Sequence, residues 1–359
     1  SYKKGKWTGR ISQLYRAGRE NWLRIPLPQR ILAHREAVRQ QLDALNLPAA
    51  QADGEGESAS LPLPPVQIVD MRAELKAGNT SIFSRALQDA LRSTLEAGHQ
   101  AILYLNRRGT ATYVFCRSCG YNLLCPRCDI PLVFHTSRNG LLCHHCGYER
   151  GLPQVCPRCK SSAIRQFGAG TEKVQAAVEA LLPQARVMRW DAETARQKNA
   201  NEIILAHFSA HRADILVGTQ MLAKGLDLPL VTLVGVVLAD IGLNLPDYRA
   251  AERTFQLLTQ VAGRAGRSPL GGQVILQSFD PAHPVLLHAA RHDFDGFAHQ
   301  ELEGRQRIGY PPFSRILRLE FRAESDTAAR QSAEKAGHLL TDWLESGEHR
   351  QTSMIGPLP

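Results

Sequence analysis

Eight cysteines constrain this 359-residue chain most, because they fall as four Cys-x-x-Cys pairs with none left over. Each pair can present two thiolates to one tetrahedral ion, so four pairs match two closed zinc sites of four cysteines each. The alternative is a disulfide framework, which needs an oxidising compartment, and the opening Ser1-Tyr2-Lys3-Lys4 lacks the apolar core of a secretion signal. The sequence therefore predicts two Zn²⁺ ions, with the ligands Cys116, Cys119, Cys125, Cys128, Cys143, Cys146, Cys156 and Cys159.

The position of the cysteine stretch indicates which pairs share an ion. It follows a buried-strand pattern at residues 101–105 and ends before Gly168-Ala169-Gly170, where strand and helix patterns resume. It therefore resembles an insertion whose two ends lie close together. Of the three possible groupings, this favours one ion for the first and last pairs and a second ion for the two inner pairs. His144 and His145 lie beside ligands, and with all eight thiolates present they are expected around the sites or at the surface rather than on a metal.

The composition indicates the class of partner. The formal net charge of +9 at pH 7 and the pI near 9.3 make polyanions the expected partner. With 43% hydrophobic residues, the chain can bury a large core and is long enough for roughly two or three domains. The longest apolar run, residues 230–239, is too short to span a bilayer and reads as a buried strand that ends at Asp240. A cytoplasmic protein without a membrane partner is expected.

From Val66 onward, short apolar runs alternate with helical patterns, which predicts an α/β fold with a doubly wound, mainly parallel sheet. The predicted strands are 67–69, 101–105, 185–188, 215–217, 231–238 and 274–277, and the clearest helices are 84–97 and 252–261. Residues 47–65 are rich in Gly, Ser, Glu and Pro and are expected to be a linker. From Tyr310 the pattern changes to a strand at 316–321, a helix at 327–344 and the start of a strand at Met354, which indicates a small α+β unit.

Two segments that follow predicted elements carry chemistry. Residues 218–227 begin after a strand, and their glycines free the backbone to approach a ligand, while Thr219, Gln220 and Lys224 supply donors and charge for phosphate oxygens. Residues 260–267, Gln-Val-Ala-Gly-Arg-Ala-Gly-Arg, place two arginines among small residues. Guanidinium groups arranged in this way suit the γ-phosphate of a nucleotide. The alternative interpretation is a basic loop with surface arginines.

These segments resemble known helicase motifs. Residues 218–227 and 260–267 resemble motifs V and VI of superfamily 2 helicases, and Tyr104-Leu105-Asn106-Arg107-Arg108-Gly109 resembles motif IV. Eight cysteines directly after motif IV narrow the resemblance to the PriA family of primosomal replication-restart helicases, as do residues 167–172 and 240–253. The resemblance covers residues 66–359. It implies an ATP-dependent 3′-to-5′ DNA helicase that recognises stalled forks and initiates primosome assembly.

The resemblance also implies a domain organisation. Residues 1–65 would be a remnant of helicase lobe 1 and a linker, and residues 66–110 with 166–305 would form the RecA-like lobe 2. Residues 111–165 would be the zinc-binding insertion, and residues 306–359 the start of a C-terminal α+β domain. The implied cofactors are two Zn²⁺, together with ATP and Mg²⁺ that need the first lobe. The implied partners are forked and single-stranded DNA, the single-stranded DNA-binding protein and other primosome components.

Roles for single residues follow from the same resemblance. The implied catalytic residues are the arginine fingers Arg264 and Arg267 with Gln260. The implied nucleotide-site residues are Gly225, Asp227 and Gly263, and the implied DNA contacts are Thr219, Gln220, Lys224 and Arg107. Asp240, Asp247 and Glu252 could be catalytic carboxylates, but salt bridges to Arg249 and Arg253 are the favoured interpretation.

Two motifs expected of a complete helicase do not occur in the sequence. There is no Gly-x-x-x-x-Gly-Lys-[Ser/Thr] phosphate loop and no Asp-Glu pair for Mg²⁺, so this polypeptide alone is not expected to hydrolyse ATP. A second hypothesis is therefore a non-catalytic, zinc-dependent module that binds DNA or proteins. A third, a zinc-ribbon transcription or translation factor, fits the cysteines but leaves residues 260–267 unexplained.

Overall fold

The structure is a computed structural model. It describes residues 63–105, 112–127, 131–135, 139–143, 146–167, 170–191, 193–196, 199–219, 228, 230–245, 247–265, 270–347, 352–354 and 356–357, together with Ile11, Tyr15 and Asp43. Most of the expected lobe-1 remnant and linker, residues 1–65, lies outside the described residues.

A six-stranded parallel sheet forms the centre of the chain, as the alternating pattern predicts. Its order is β1-β11-β10-β2-β9-β8, and every pair of neighbouring strands is parallel. The bounds are β1 Val66–Asp70, β2 Gln100–Leu105, β8 Val187–Trp190, β9 Ile215–Gly218, β10 Val231–Leu238 and β11 Gln273–Ser278. Strand β10 is the longest, and all but one of its eight residues are buried, as expected of a parallel strand covered on both faces.

Helices cover both faces of this sheet, so the fold is doubly wound. Successive side chains of β2 point to opposite faces: Ile102 and Tyr104 join one apolar cluster, whereas Leu103 joins the other. The helices are α1 Met71–Lys76, α2 Arg85–Glu96, α3 Thr171–Leu181, α4 Ala200–Ser209, α5 Ala250–Ala265, α6 Pro284–Ala290, α7 Phe294–Ile308 and α8 Asp326–Glu345. Helices α2 and α3 pack on one face, and α4 to α7 on the other. Within the described residues, no helix is both long and apolar enough to cross a membrane.

The cysteine-rich insertion forms a second sheet with antiparallel pairing. Its order is β6-β5-β4-β3-β7, with bounds β3 Thr112–Cys116, β4 Val133–His135, β5 Gly140–Leu142, β6 Glu149–Arg150 and β7 Ile164–Phe167. Strands β3 and β7 pair along their lengths, from Tyr113 opposite Phe167 to Cys116 opposite Ile164. The two ends of the insertion therefore lie side by side, and β7 extends two residues past the end expected at 165.

The predicted strand at 316–321 is wrong. The chain is extended there but forms no ladder, and Ile316, Leu317 and Leu319 are each more than half exposed. The sequence does alternate between apolar and polar residues in this segment. Among the described residues, however, no neighbouring strand pairs with its backbone groups. An isolated strand is not stable by itself. The described residues near Met354 also form no strand, whereas the helix predicted at 327–344 is present as α8.

The three candidate carboxylates have different partners. Asp247 forms ion pairs with Arg249 and Arg253, as the salt-bridge interpretation predicts. Glu252, in the first turn of α5, instead pairs at 2.9 Å with Arg305 of α7, and both side chains are almost fully buried. Asp240 is also buried and accepts hydrogen bonds from Ser278, the last residue of β11, and from Phe279, so the interpretation as salt bridges to Arg249 and Arg253 holds only for Asp247.

The ion pair of Arg305 with Glu252 joins α7 to α5. The Arg305 guanidinium contacts Glu252 and Glu301 at 2.9 and 2.8 Å, and it lies 5.2 Å from the ring centroid of Tyr248. Arg305→Met should lower the free energy of unfolding by about 3–5 kcal/mol, because the buried Glu252 and the partly buried Glu301 would lose their shared cation. Urea denaturation measures this, with Arg307→Met, an exposed arginine on the same helix, as the control. Equal effects of the two substitutions would contradict the assignment.

Candidate functional site

Three of the cysteine pairs adopt the same tight turn. In each, the residue after the second cysteine has a positive φ: 72° at Gly120, 70° at Gly147 and 60° at Lys160. The N–H of that residue donates to the carbonyl of the first cysteine, at 2.8 Å from Gly120 and 2.9 Å from both Gly147 and Lys160. A glycine adopts this backbone without steric cost, which explains its place in two of the three turns. The turns hold both thiols of a pair on one side of the backbone.

The first and last pairs come together at the base of the insertion. The sulfurs of Cys116, Cys119, Cys156 and Cys159 lie within 4.8 Å of one another. Cys116 and Cys159 are separated by 3.6 Å and Cys119 and Cys156 by 3.8 Å. A tetrahedral zinc ion with bonds of about 2.3 Å places its sulfurs roughly 3.8 Å apart, so the four thiols fit that ion. Disulfides, with S–S bonds of about 2.05 Å, do not fit these separations.

The inner cluster contains Cys125, Cys143 and Cys146, again within 4.8 Å of one another. Cys125 and Cys146 are 3.5 Å apart, and Cys125 and Cys143 are fully buried. The fourth predicted ligand, Cys128, and the neighbouring His144 and His145 lie outside the described residues. The structure therefore brings together the grouping that the chain order favours, while the role of each cysteine as a ligand stays a prediction.

The thiols of the base cluster have opposing pKa shifts. Burial raises the pKa of Cys116 and raises that of Cys119 to about 12, whereas the N–H of Ser161 lowers the pKa of Cys159 to about 7. Four thiolates cannot coexist in such a cluster without a cation, because each added negative charge opposes the next. A zinc ion would supply the charge and release the protons. The donor set therefore suits a soft divalent metal.

A second candidate site lies at the carboxyl edge of the parallel sheet, where ligands of such sheets bind. Thr219 follows β9, and its N–H donates to the carbonyl of Trp190 at the end of β8. Beside it, Asp191 accepts hydrogen bonds from the Thr171 hydroxyl and from the N–H of Thr194. Burial raises the pKa of Asp191, but these donors outweigh it and lower the pKa below its usual value. The edge therefore holds a fixed carboxylate next to Thr219.

The end of α5 carries the described part of the arginine segment. Gln260, Gly263 and Arg264 lie three and four residues apart, on one face of the helix. Gln260 is exposed, whereas only 6% of Arg264 is exposed. The small residues around Arg264 favour an accessible guanidinium, whereas the Arg264 side chain is buried in this structure.

Several predicted residues lie outside the described residues, so the structure does not place them. They are Arg107, Gln220, Lys224, Gly225, Asp227 and Arg267. Other contacts were missed by sequence reasoning. The Thr171–Asp191 bond joins residue 171, within the segment 167–172 that was named for its resemblance, to a carboxylate 20 positions further on, and the Glu252–Arg305 pair joins residues 53 positions apart. For the Glu252–Arg305 pair, the available sequence signal was an acidic residue in the first turn of a predicted helix.

Comparisons with known proteins agree with this arrangement. Residues 125–150 match the family described as the PriA DNA helicase Cys-rich region (CRR) domain, and residues 162–269 match the helicase conserved C-terminal domain. The chain is 48% identical to the replication restart protein PriA of Synechocystis over 304 residues, which are 84% of this chain. It is 45% identical to that of Bacillus subtilis over 295 residues, or 82% of this chain. Over most of its length the chain is therefore homologous to PriA replication restart proteins.

The similarity to PriA proteins extends over only part of the length of these relatives. The chain spans 36% of the length of both the Synechocystis and the Bacillus subtilis PriA proteins. Among solved structures, the match to S. cerevisiae Dbp5 bound to RNA and ADP BeF3 covers 76% of this chain and 53% of the Dbp5 chain, with 12% identity and a TM-score of 0.34. The family resemblance and the α/β fold with its zinc modules are confirmed.

Proposed function

We propose that this chain supplies the second motor lobe and the zinc module of an ATP-dependent DNA helicase of replication restart. The 48% identity to a PriA protein over 84% of the chain carries this proposal. In it, residues 66–110 and 166–305 are lobe 2, residues 111–165 the zinc insertion, and residues 306–359 the start of a further domain. The whole protein moves 3′ to 5′ and acts at stalled forks with the single-stranded DNA-binding protein and other primosome components.

The proposed roles of single residues follow from the resemblance to the helicase motifs. In this proposal Thr219, Gln220, Lys224 and Arg107 contact the DNA backbone, while Gly225, Asp227 and Gly263 contact the nucleotide. Arg264 and Arg267 stabilise the charge that develops on the transferred phosphoryl group, with Gln260 beside them. ATP and Mg²⁺ are held by a first lobe that carries the phosphate loop. The two zinc ions hold the insertion in shape, with Cys116, Cys119, Cys156 and Cys159 on one and Cys125, Cys128, Cys143 and Cys146 on the other.

ATP turnover tests this proposal directly. This polypeptide should show no DNA-stimulated ATP hydrolysis, because its sequence has no phosphate loop. The full-length protein should hydrolyse ATP when DNA is present. The second candidate, a binding module without turnover, is favoured by the missing phosphate loop, and it would be supported if the full-length protein also failed to hydrolyse ATP.

DNA binding by the chain should depend steeply on salt. A net charge of +9 favours contacts with phosphates, and each neutralised phosphate contributes about −0.9 to the slope of log affinity against log salt concentration. Base sequence should have little effect, because a motor that moves over any sequence cannot depend on base edges. Titration of labelled forked and plain DNA at several salt concentrations measures both. Salt-independent binding, or strong preference for one sequence, would favour the zinc-ribbon factor.

A further inference from the structure

The zinc module is seated on the carboxyl edge of the parallel sheet by an apolar cluster. The rings of Phe115, in β3, and Phe279, directly after β11, have centroids 4.8 Å apart. Val133 of the module joins them, and from the sheet side the cluster contains Met71, Leu238 and Ile241. All of these side chains are at most 9% exposed. This buried apolar cluster therefore joins the antiparallel sheet of the zinc module to the parallel sheet.

Gly120 makes the closest approach in this contact. A Cβ atom at this position would lie 2.4 Å from the carbonyl oxygen of Phe279, a distance that real side chains do not reach. The φ of 72° also disfavours any residue with a side chain. The first zinc turn thus lies directly against the backbone that follows β11, so this glycine is required by the docking as well as by the turn.

Asp240 holds the same backbone through hydrogen bonds. Its carboxylate accepts hydrogen bonds from the Phe279 N–H at 3.0 Å and from the Ser278 hydroxyl at 2.7 Å, with the Asp280 N–H at 3.2 Å. The side chain is buried, and burial raises its pKa. Three donors on one buried carboxylate fix the turn in one conformation, because moving it would leave polar groups unsatisfied.

Residues 239–249 connect this seat to helix α5. The Asn122 amide of the zinc module donates to the Asn244 side-chain oxygen at 3.1 Å, and the Asn244 amide donates to the Asp240 carbonyl at 3.1 Å. The same segment continues through Asp247 to α5, whose last turn carries Arg264. This short segment therefore contacts the zinc module through Asn244 and leads directly into helix α5.

We propose that Gly120, Phe279 and Asp240 form a docking seat that fixes the zinc module and, through residues 239–249, couples its position to helix α5. In this arrangement Asp240 is a positioning residue that acts through the turn after β11. The inference deepens the proposed function, since it gives the zinc insertion a mechanical link to the motor lobe. The docking contacts themselves do not depend on which reaction the lobe performs.

Hydrogen exchange on the purified chain tests this seat. Gly120→Ala should speed amide exchange at least about tenfold in peptides that cover 239–249 and 278–281, because the added methyl group separates the module from the turn. Gly147→Ala is the matched control, since it has the same φ and the same N–H bond in the other cluster. It should change exchange in its own turn and leave those two peptides within about twofold of the parent. Equal exchange in both variants would overturn the proposal.

If Gly120→Ala does not fold, amide exchange in Asn122→Ala provides a second test of the seat. This substitution removes the bond to Asn244 without adding volume, and it should speed exchange in 239–249, whereas Arg150→Ala, at an exposed site on β6, should not. No difference between these two variants would also overturn the coupling. Zinc content measured on the same samples separates the two proposals: a parent chain without zinc would contradict the metal assignment, while the exchange comparison would still report on the seat.

Discussion

Replacing Cys116 with serine should remove one of two zinc ions and unfold the base of the insertion. Cys116 is fully buried, and its sulfur lies 3.6 Å from that of Cys159. A serine hydroxyl stays protonated near neutral pH and does not replace a thiolate ligand. Binding of structural zinc supplies about 10–16 kcal/mol in small zinc peptides, so the loss of an ion should exceed the effect of any ordinary core substitution. Metal analysis and exchange in β3 and β7 measure the two effects.

The control is Ser118→Ala in the same turn. The Ser118 hydroxyl bonds to that of Ser161 at 2.8 Å and has no part in the thiol cluster, so this variant should keep both ions. Double substitutions test the grouping of the cysteines. Cys116→Ser with Cys156→Ser should still lose one ion, whereas Cys116→Ser with Cys143→Ser should lose two. Retention of two ions by Cys116→Ser, or iron in place of zinc, would contradict the assignment.

The second large effect concerns the arginine segment. In a full-length protein that has both lobes, Arg267→Ala should lower DNA-stimulated ATP turnover by about 10³-fold or more, as the loss of an arginine finger does. Arg264→Ala should also lower turnover, but Arg264 is 6% exposed, so this variant should lose stability as well. Steady-state turnover and thermal unfolding, measured together, separate the two arginines.

Arg249→Ala is the matched control for the arginine prediction. Its side chain is 43% exposed and pairs with Asp247 before the start of α5, so its loss should leave turnover near that of the parent. Turnover of Arg267→Ala within about threefold of the parent would show that Arg267 is not a finger. DNA affinity serves as a further readout, since a finger that acts on the phosphoryl group should leave it unchanged.

The parallel sheet could be predicted because its strands are short apolar runs, and β2, β9, β10 and β11 are almost entirely buried. The grouping of the cysteines was also accessible, because it follows from the ends of an insertion being close. The prediction of a strand at 316–321 failed, because alternating apolar residues indicate one face of a strand but not whether a neighbouring strand is available for pairing. Phe279 and Gly120 meet although they are far apart in sequence, and neither residue type signals a docking contact by itself.

The pairing of β3 with β7 has a consequence for how such an insertion can be acquired or lengthened. Because Tyr113 lies opposite Phe167, the two ends of the insertion are adjacent where they join the parallel sheet. This holds whatever the length of the chain between them. Loop-closure entropy grows only slowly with length, and here the ladder holds the ends together. Residues can therefore be added or lost at the far end of the insertion, between β4 and β5, without altering the register of the strands in the parallel sheet.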